Sequence, residues 1–144
     1  VFLGEYQHTL DAKGRVSLPR KFREEIGSRL VVSKGLEPCL YVYPADGYRA
    51  FLENLLSASD FDRNSRVVRR HFTAGASEVE IDGAGRVNIS TALREFAQLK
   101  KDVVVAGVAD HLEIWDAAAW ASYESANAST IEDAAEALSR SGLL

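Results

Sequence analysis

Cysteine is almost absent from this chain. Cys39 is the only one in 144 residues, so no internal disulfide can form and no cysteine-based zinc knuckle can be built. Set within an apolar, strand-like run, it reads as a small core residue rather than a nucleophile. Histidine is nearly as scarce: His8, His71 and His111 lie far apart and none has the spacing of a helical metal pair, so no metal site is expected. There is no Walker loop, Gly83-Ala84-Gly85 is too short a glycine run to cradle a phosphate alone, and no serine sits in a nucleophile elbow. The sequence therefore predicts neither catalysis nor a cofactor. No apolar run approaches the roughly 20 residues needed to span a bilayer, and the start of the chain lacks the basic-then-apolar pattern of a signal peptide. Val1 opens what reads as an intact N-terminus, and a soluble, intracellular protein is expected.

What is present is a repetition. Asp11-Ala12-Lys13-Gly14-Arg15 returns 71 residues later as Asp82-Gly83-Ala84-Gly85-Arg86. Around the motif, Leu10, Val16, Leu18, Phe22, Arg23 and Glu24 stand opposite Ile81, Val87, Ile89, Leu93, Arg94 and Glu95. Apolar positions match apolar positions, which predicts two similar folded units. With 47% hydrophobic residues, the chain can bury one sizeable core or two small ones.

Turn chemistry parses each copy. Asp at the first position of a type I turn, with Gly at the fourth in the left-handed region, predicts a bulged hairpin at Asp11–Gly14 and again at Asp82–Gly85. That accounts for both Asp and both Gly without any function, but not for Arg15 and Arg86. Each arginine can close a weak surface ion pair with its Asp, or be held by it with the guanidinium aimed outward. A short helix follows each motif, with Pro19 at its first position in one copy and Ser90 as N-cap in the other. Leu30–Ser33 with Leu40–Tyr43, and Val103–Val105 with Leu112–Trp115, then read as hairpins. Helices complete each half. One carries Tyr48, Phe51, Leu52 and Leu55, and the next, capped by Asp60, carries Val67, Val68 and Phe72. In the second half an alanine-rich helix with Trp120 and Tyr123 follows Asp116, and Ser129 or Thr130 starts a last helix that stops at Gly142. The unit boundaries are expected at 5–47, with a helical extension to about 75, and 76–119, with a helical tail to 144.

The net charge of −4 is unevenly spread. Residues 1–75 hold 12 Lys/Arg against 9 Asp/Glu, whereas residues 76–144 hold 5 against 12. Lys13, Arg15, Arg20, Lys21, Arg23 and Arg29 gather near the first motif, and a second basic run, Arg63 to Arg70, falls on a helix. A local positive field of this kind suits a phosphate ligand even in an acidic protein.

The start Phe2-Leu3-Gly4-Glu5-Tyr6, the stretch from Leu10 to Pro19, and the repeated Asp-x-x-Gly-Arg together resemble the MraZ family over nearly the whole chain. The resemblance implies an α+β fold of two tandem SpoVT/AbrB-type swapped-hairpin units that form a pseudo-dimeric β core with peripheral helices. It also implies a bacterial transcription regulator, usually a repressor acting upstream of the division and cell-wall gene cluster, in the cytoplasm at the nucleoid and without a membrane association. Ring-shaped homo-oligomers are implied as well, and Phe51, Leu55, Trp120 and Leu138 are the apolar residues expected to close the ring. Contact with double-stranded promoter DNA, expected to carry short direct repeats, carries over to Asp11, Arg15, Asp82 and Arg86. Lys13 at the turn tip can reach phosphate, and Arg20 and Lys21 are further phosphate-contact candidates. Ala84, Thr91 and Ala92 stand where the first copy has Lys13, Arg20 and Lys21, so Arg86 is expected to contribute less than Arg15. Two alternatives stand beside this reading. One is a ring-forming scaffold or protein-interaction module without DNA binding; the other is an AbrB-type antitoxin, which would need a separable toxin-binding tail.

Overall fold

The computed structural model describes residues 1–144. In chain order the elements are β1 (Phe2–Thr9), β2 (Arg15–Ser17), α1 (Arg20–Ile26), β3 (Arg29–Lys34), β4 (Leu40–Pro44), α2 (Ala45–Leu56) and α3 (Arg63–Ala74), then β5 (Ser77–Glu80), β6 (Arg86–Asn88), α4 (Thr91–Phe96), β7 (Asp102–Ala109), β8 (His111–Asp116), α5 (Ala117–Asn127) and α6 (Ile131–Arg140). The fold is α+β, and every strand pairing is antiparallel.

The two halves exchange strands. The main sheet has the order β1-β7-β8-β4-β3-β5, and β2 pairs with β6 in a separate two-stranded ribbon. Thus β1 of the first half lies on β7 of the second, from Phe2 opposite Ala109 to Thr9 opposite Asp102. Reciprocally, β5 of the second half lies on β3 of the first. Only the β3–β4 and β7–β8 hairpins stay within their own halves, and they meet at the β4–β8 seam. This is the swapped, pseudo-dimeric core that the resemblance implied, and it corrects the simple hairpin reading of the Asp-x-x-Gly turns. After the first turn a single bridge, Leu10 opposite Val16, joins the flanking strands before they diverge to partners in the other half.

Strand alternation sorts the side chains into layers. Leu30, Val32, Leu40, Val42, Val103, Val105, Leu112 and Ile114 join Val16, Val87, Leu18, Ile89, Phe22 and Leu93 in one buried cluster drawn from both halves. Each such aliphatic or aromatic side chain contributes about 1.5–3 kcal/mol relative to exposure, so the dominant apolar term binds the halves to each other. On the opposite face of the sheet, Val31, Tyr43 and Tyr48 form a smaller cluster with Phe51 and Leu52 of α2. Tyr48 Oη donates to the Phe72 carbonyl at 2.5 Å, tying α2 to α3.

Several local readings shift. Pro19 caps α1 from outside rather than opening it. Asp62, not Asp60, accepts from the Asn64 amide at 2.8 Å as the cap of α3, because Asp60 is taken by Arg69. Ser90 and Asp116 cap α4 and α5 as their sequence positions suggest. Of the four residues expected to close a ring, Phe51 stacks on Tyr43 at 5.2 Å and Trp120 packs on Trp115 at 5.4 Å. Leu55 is half-buried and only Leu138 is exposed. No helix is long and apolar enough to cross a membrane.

Candidate nucleic-acid interface

Each motif builds a turn in which one aspartate organises the backbone and the arginine together. Asp11 Oδ1 accepts from the amides of Lys13 and Arg15, both at 2.9 Å, and Oδ2 accepts from Arg15 Nε at 2.7 Å. Asp82 repeats the pattern with Ala84 and Arg86, at 2.9, 2.9 and 2.8 Å. The Gly14 and Gly85 amides donate back to Asp11 and Asp82 carbonyls at 3.0 and 2.9 Å. Both glycines take positive φ, 79° and 78°, where a side chain would be strained. The backbone amide of the motif arginine is the largest influence on each Asp carboxyl; burial opposes it, but with the arginine side chain and the amide of Lys13 or Ala84 added, the carboxyl is held below the ordinary value of 3.8. The carboxylates are therefore ionised at neutral pH.

Anchoring through Nε leaves both Nη groups of Arg15 and Arg86 without a partner in the chain, at the outer end of a fixed side chain. An arginine side chain carries about 2 kcal/mol of rotamer entropy. Holding it before a ligand arrives reduces what association must spend on ordering it.

The two turns stand at opposite ends of the β2–β6 ribbon. Arg15 lies opposite Asn88, Val16 opposite Val87 and Ser17 opposite Arg86. Val16 and Val87 are fully buried, so by alternation Arg15, Ser17, Arg86 and Asn88 share the outward face. As diagonal neighbours, Arg15 and Arg86 have Cα atoms about 7–8 Å apart, on the order of two base-pair steps. Reasoning from sequence missed Ser17 and Asn88. Their signal was available in the period-2 alternation from Arg15 and Arg86, but it became usable only with the ribbon pairing.

The exchange of strands also rearranges the positive charge. The Leu18 amide donates to the Gly85 carbonyl at 3.0 Å, and the Ile89 amide to the Gly14 carbonyl at 2.8 Å. Helix α1, with exposed Arg20 and Lys21, therefore begins beside the second turn, and α4 begins beside the first. A Cβ built on Gly85 would collide with Arg23, whose Nε donates to the Leu18 carbonyl at 2.7 Å; one built on Gly14 would collide with Arg94. Charge around the turns is therefore distributed differently from charge along the chain: the second turn, in the acidic half, lies beside the start of α1 with Arg20, Lys21 and Arg23 from the basic half. The first keeps Lys13 at its exposed tip and gains Arg94.

The other residues singled out lie elsewhere. Arg63 to Arg70 form the first two turns of α3, which packs on α2 and β3; Arg66 donates to the Asp60 carbonyl at 3.0 Å, and Arg69 pairs with the Asp60 carboxylate. Cys39 is wholly buried, and burial pushes its thiol pKa far up, so it stays protonated and inert. His71 contacts the Gly35 carbonyl at 2.7 Å, and His111 sits between Asp110 and Glu113.

A family model described as "MraZ protein, putative antitoxin-like" matches twice, over residues 1–71 and 72–141. The chain is 44% identical over 135 residues to a transcriptional regulator MraZ of Limosilactobacillus fermentum, covering 94% of each chain. It is 42% identical over 143 residues to the protein of that name from Desulfitobacterium hafniense, covering 99% of this chain and 100% of the relative. With the one from Halothermothrix orenii the identity is 38% over the same coverage.

Proposed function

The chain belongs to the MraZ family, and from that premise we propose that it is a sequence-specific DNA-binding regulator of transcription. In this reading it represses a division and cell-wall gene cluster that includes its own gene, acts at the nucleoid, and performs no catalysis. The observation that carries it is the pair of Asp-anchored arginines, Arg15 and Arg86, on one outward ribbon face with their Nη groups free. The B-DNA major groove admits a two-stranded ribbon, and an arginine can donate two parallel hydrogen bonds to guanine O6 and N7, worth about 1–3 kcal/mol of discrimination. Asp11 and Asp82 fix the two arginines, while Lys13 and, beside the second turn, Arg20 and Lys21 contact phosphates and set the register. The DNA-contacting units are those of residues 5–47 and 76–119, and the helical segments that follow them serve assembly.

Self-association into a ring fits the exposed helices. Helix α6 buries no residue and leaves Ile131 66% and Leu138 44% exposed beside Glu132, Asp133 and Glu136. Helix α3 offers exposed Val67 with Arg63 and Arg70. An acidic apolar stripe on one copy and a basic apolar stripe on the next make a heterologous contact, which forms a ring when the rotation between copies closes.

A gel-shift assay on the duplex immediately upstream of the protein's own gene, with one, two or three copies of its short direct repeat, tests the function. Linked sites act through effective concentration, so affinity rises steeply with repeat number, and the protein is retained on heparin at low salt. Equal, weak binding to every duplex and no retention would instead favour a ring-forming scaffold whose paired turns are architectural.

A further inference from the structure

We propose that Ser17 and Asn88 give the two ends of the ribbon different base preferences, so that the protein binds DNA in one direction. The proposal rests on the DNA-binding reading above and deepens it. The 71-residue repeat that maps Arg15 onto Arg86 also maps Ser17 onto Asn88, and the register sets Asn88 beside Arg15 and Ser17 beside Arg86. The ribbon's backbone is thus two-fold pseudo-symmetric, whereas its outward side chains are not. Both residues lie on the face opposite buried Val16 and Val87, Ser17 partly and Asn88 largely exposed. Neither side chain makes a hydrogen bond within the protein. Four polar side chains therefore project from one patch, and only the two arginines have an internal anchor.

Chemistry separates the two unanchored ones. An asparagine amide can donate an N–H to adenine N7 while its carbonyl oxygen accepts from N6–H, whereas a serine hydroxyl is donor or acceptor toward any base. The Arg15–Asn88 end reads a guanine with an adjacent adenine; the Arg86–Ser17 end reads a guanine with no such neighbour. A fully symmetric ribbon would favour an inverted repeat. This one favours a site with a direction, which successive subunits meet in the same sense along direct repeats.

Selection from a randomised duplex library by the full-length protein, followed by anisotropy titrations of the enriched duplex and its single-base variants, tests this. Asn88→Ser and Ser17→Asn each introduce the residue already found at the equivalent strand position, and circular dichroism verifies their folding. The wild type should enrich an asymmetric site. Asn88→Ser should lose discrimination at one adenine by about 5- to 150-fold, as expected for one bidentate contact, with the guanine preferences kept. Ser17→Asn should gain an adenine preference at the other end and make the site more symmetric. If the wild type enriches a site and Asn88→Ser selects the same one with unchanged discrimination, the directional role is overturned while DNA reading by the arginines stands. If the wild type enriches nothing, both fall.

Discussion

At the residue scale the decisive unit is a carboxylate that spends its oxygens on two backbone amides and one guanidinium edge. The same atoms fix the turn and aim the arginine. If the two arginines read bases as proposed, removing either one deletes one bidentate contact, so Arg15→Ala and Arg86→Ala should each weaken specific binding by about 5- to 150-fold. Because α1 supplies the second turn with Arg20, Lys21 and Arg23, the two losses should be of similar size, measurable by anisotropy on one operator. A folded Arg15→Ala protein that binds like the wild type would reduce the motif to an architectural turn. Lys13→Ala should act differently, lowering affinity for all sequences alike and reducing the salt slope by about one per site. A second residue-scale prediction concerns His111. Burial disfavours its charged form, but hydrogen bonds at 3.0 Å to Glu113 and 2.8 Å to Asp110, with their negative charge, outweigh that and raise its pKa above 6.5. A raised histidine pKa contributes stability that is full below 6.5 and is lost as pH rises through the folded value. Urea midpoints should therefore fall as pH is taken from 6 through 8, and His111→Gln should flatten that slope. Equal slopes in both proteins would remove His111 as the cause.

At the element scale the ribbon and the last helix are opposites. The β2–β6 ribbon has only three residue pairs, yet Val16, Val87, Leu18 and Ile89 root it in the main core, which makes a short element a rigid platform. Helix α6 has ten residues and no buried one. Isolated helices below about 12–15 residues are marginal in water, so in the proposed ring α6 would gain stability by packing its Ile131–Leu138 stripe on a second copy. Placing Asp at both Ile131 and Leu138 should lower the solution mass from a ring to single chains by light scattering while far-ultraviolet dichroism of the core persists. An unchanged mass would show that α6 does not hold the assembly.

At the scale of the whole molecule, strand exchange makes the two repeats one folding unit. In isolated residues 1–75, β1 and β2 lose their only strand partners and β3 and β4 lose one of two; in residues 76–144, β5 and β6 lose their only partners and β7 and β8 lose one of two. Open strand edges recruit other chains, so each half should be either unfolded or a swapped homodimer, and mixing the two should restore a native-like spectrum with one complex of both. A monomeric, cooperatively unfolding first half would contradict a shared core.

The repeat, the Asp-x-x-Gly-Arg turns, the short helices after them and the β3–β4 and β7–β8 hairpins were all legible in the sequence. Each depends on local rules: a left-handed glycine, a cap, an alternation of apolar residues over four to eight positions. Residue spacing along the chain also exposed the charge imbalance between halves. Which strands pair across the molecule was a different matter, because Leu10 and Val16 flank a turn that locally specifies a hairpin, and only competition for a common apolar core sends β1 to β7 and β2 to β6. That competition is long-range. It alone decided that α1 with Arg20, Lys21 and Arg23 begins beside the second turn, that Phe51 and Trp120 pack on Tyr43 and Trp115, and that Ser17 and Asn88 stand beside the two arginines.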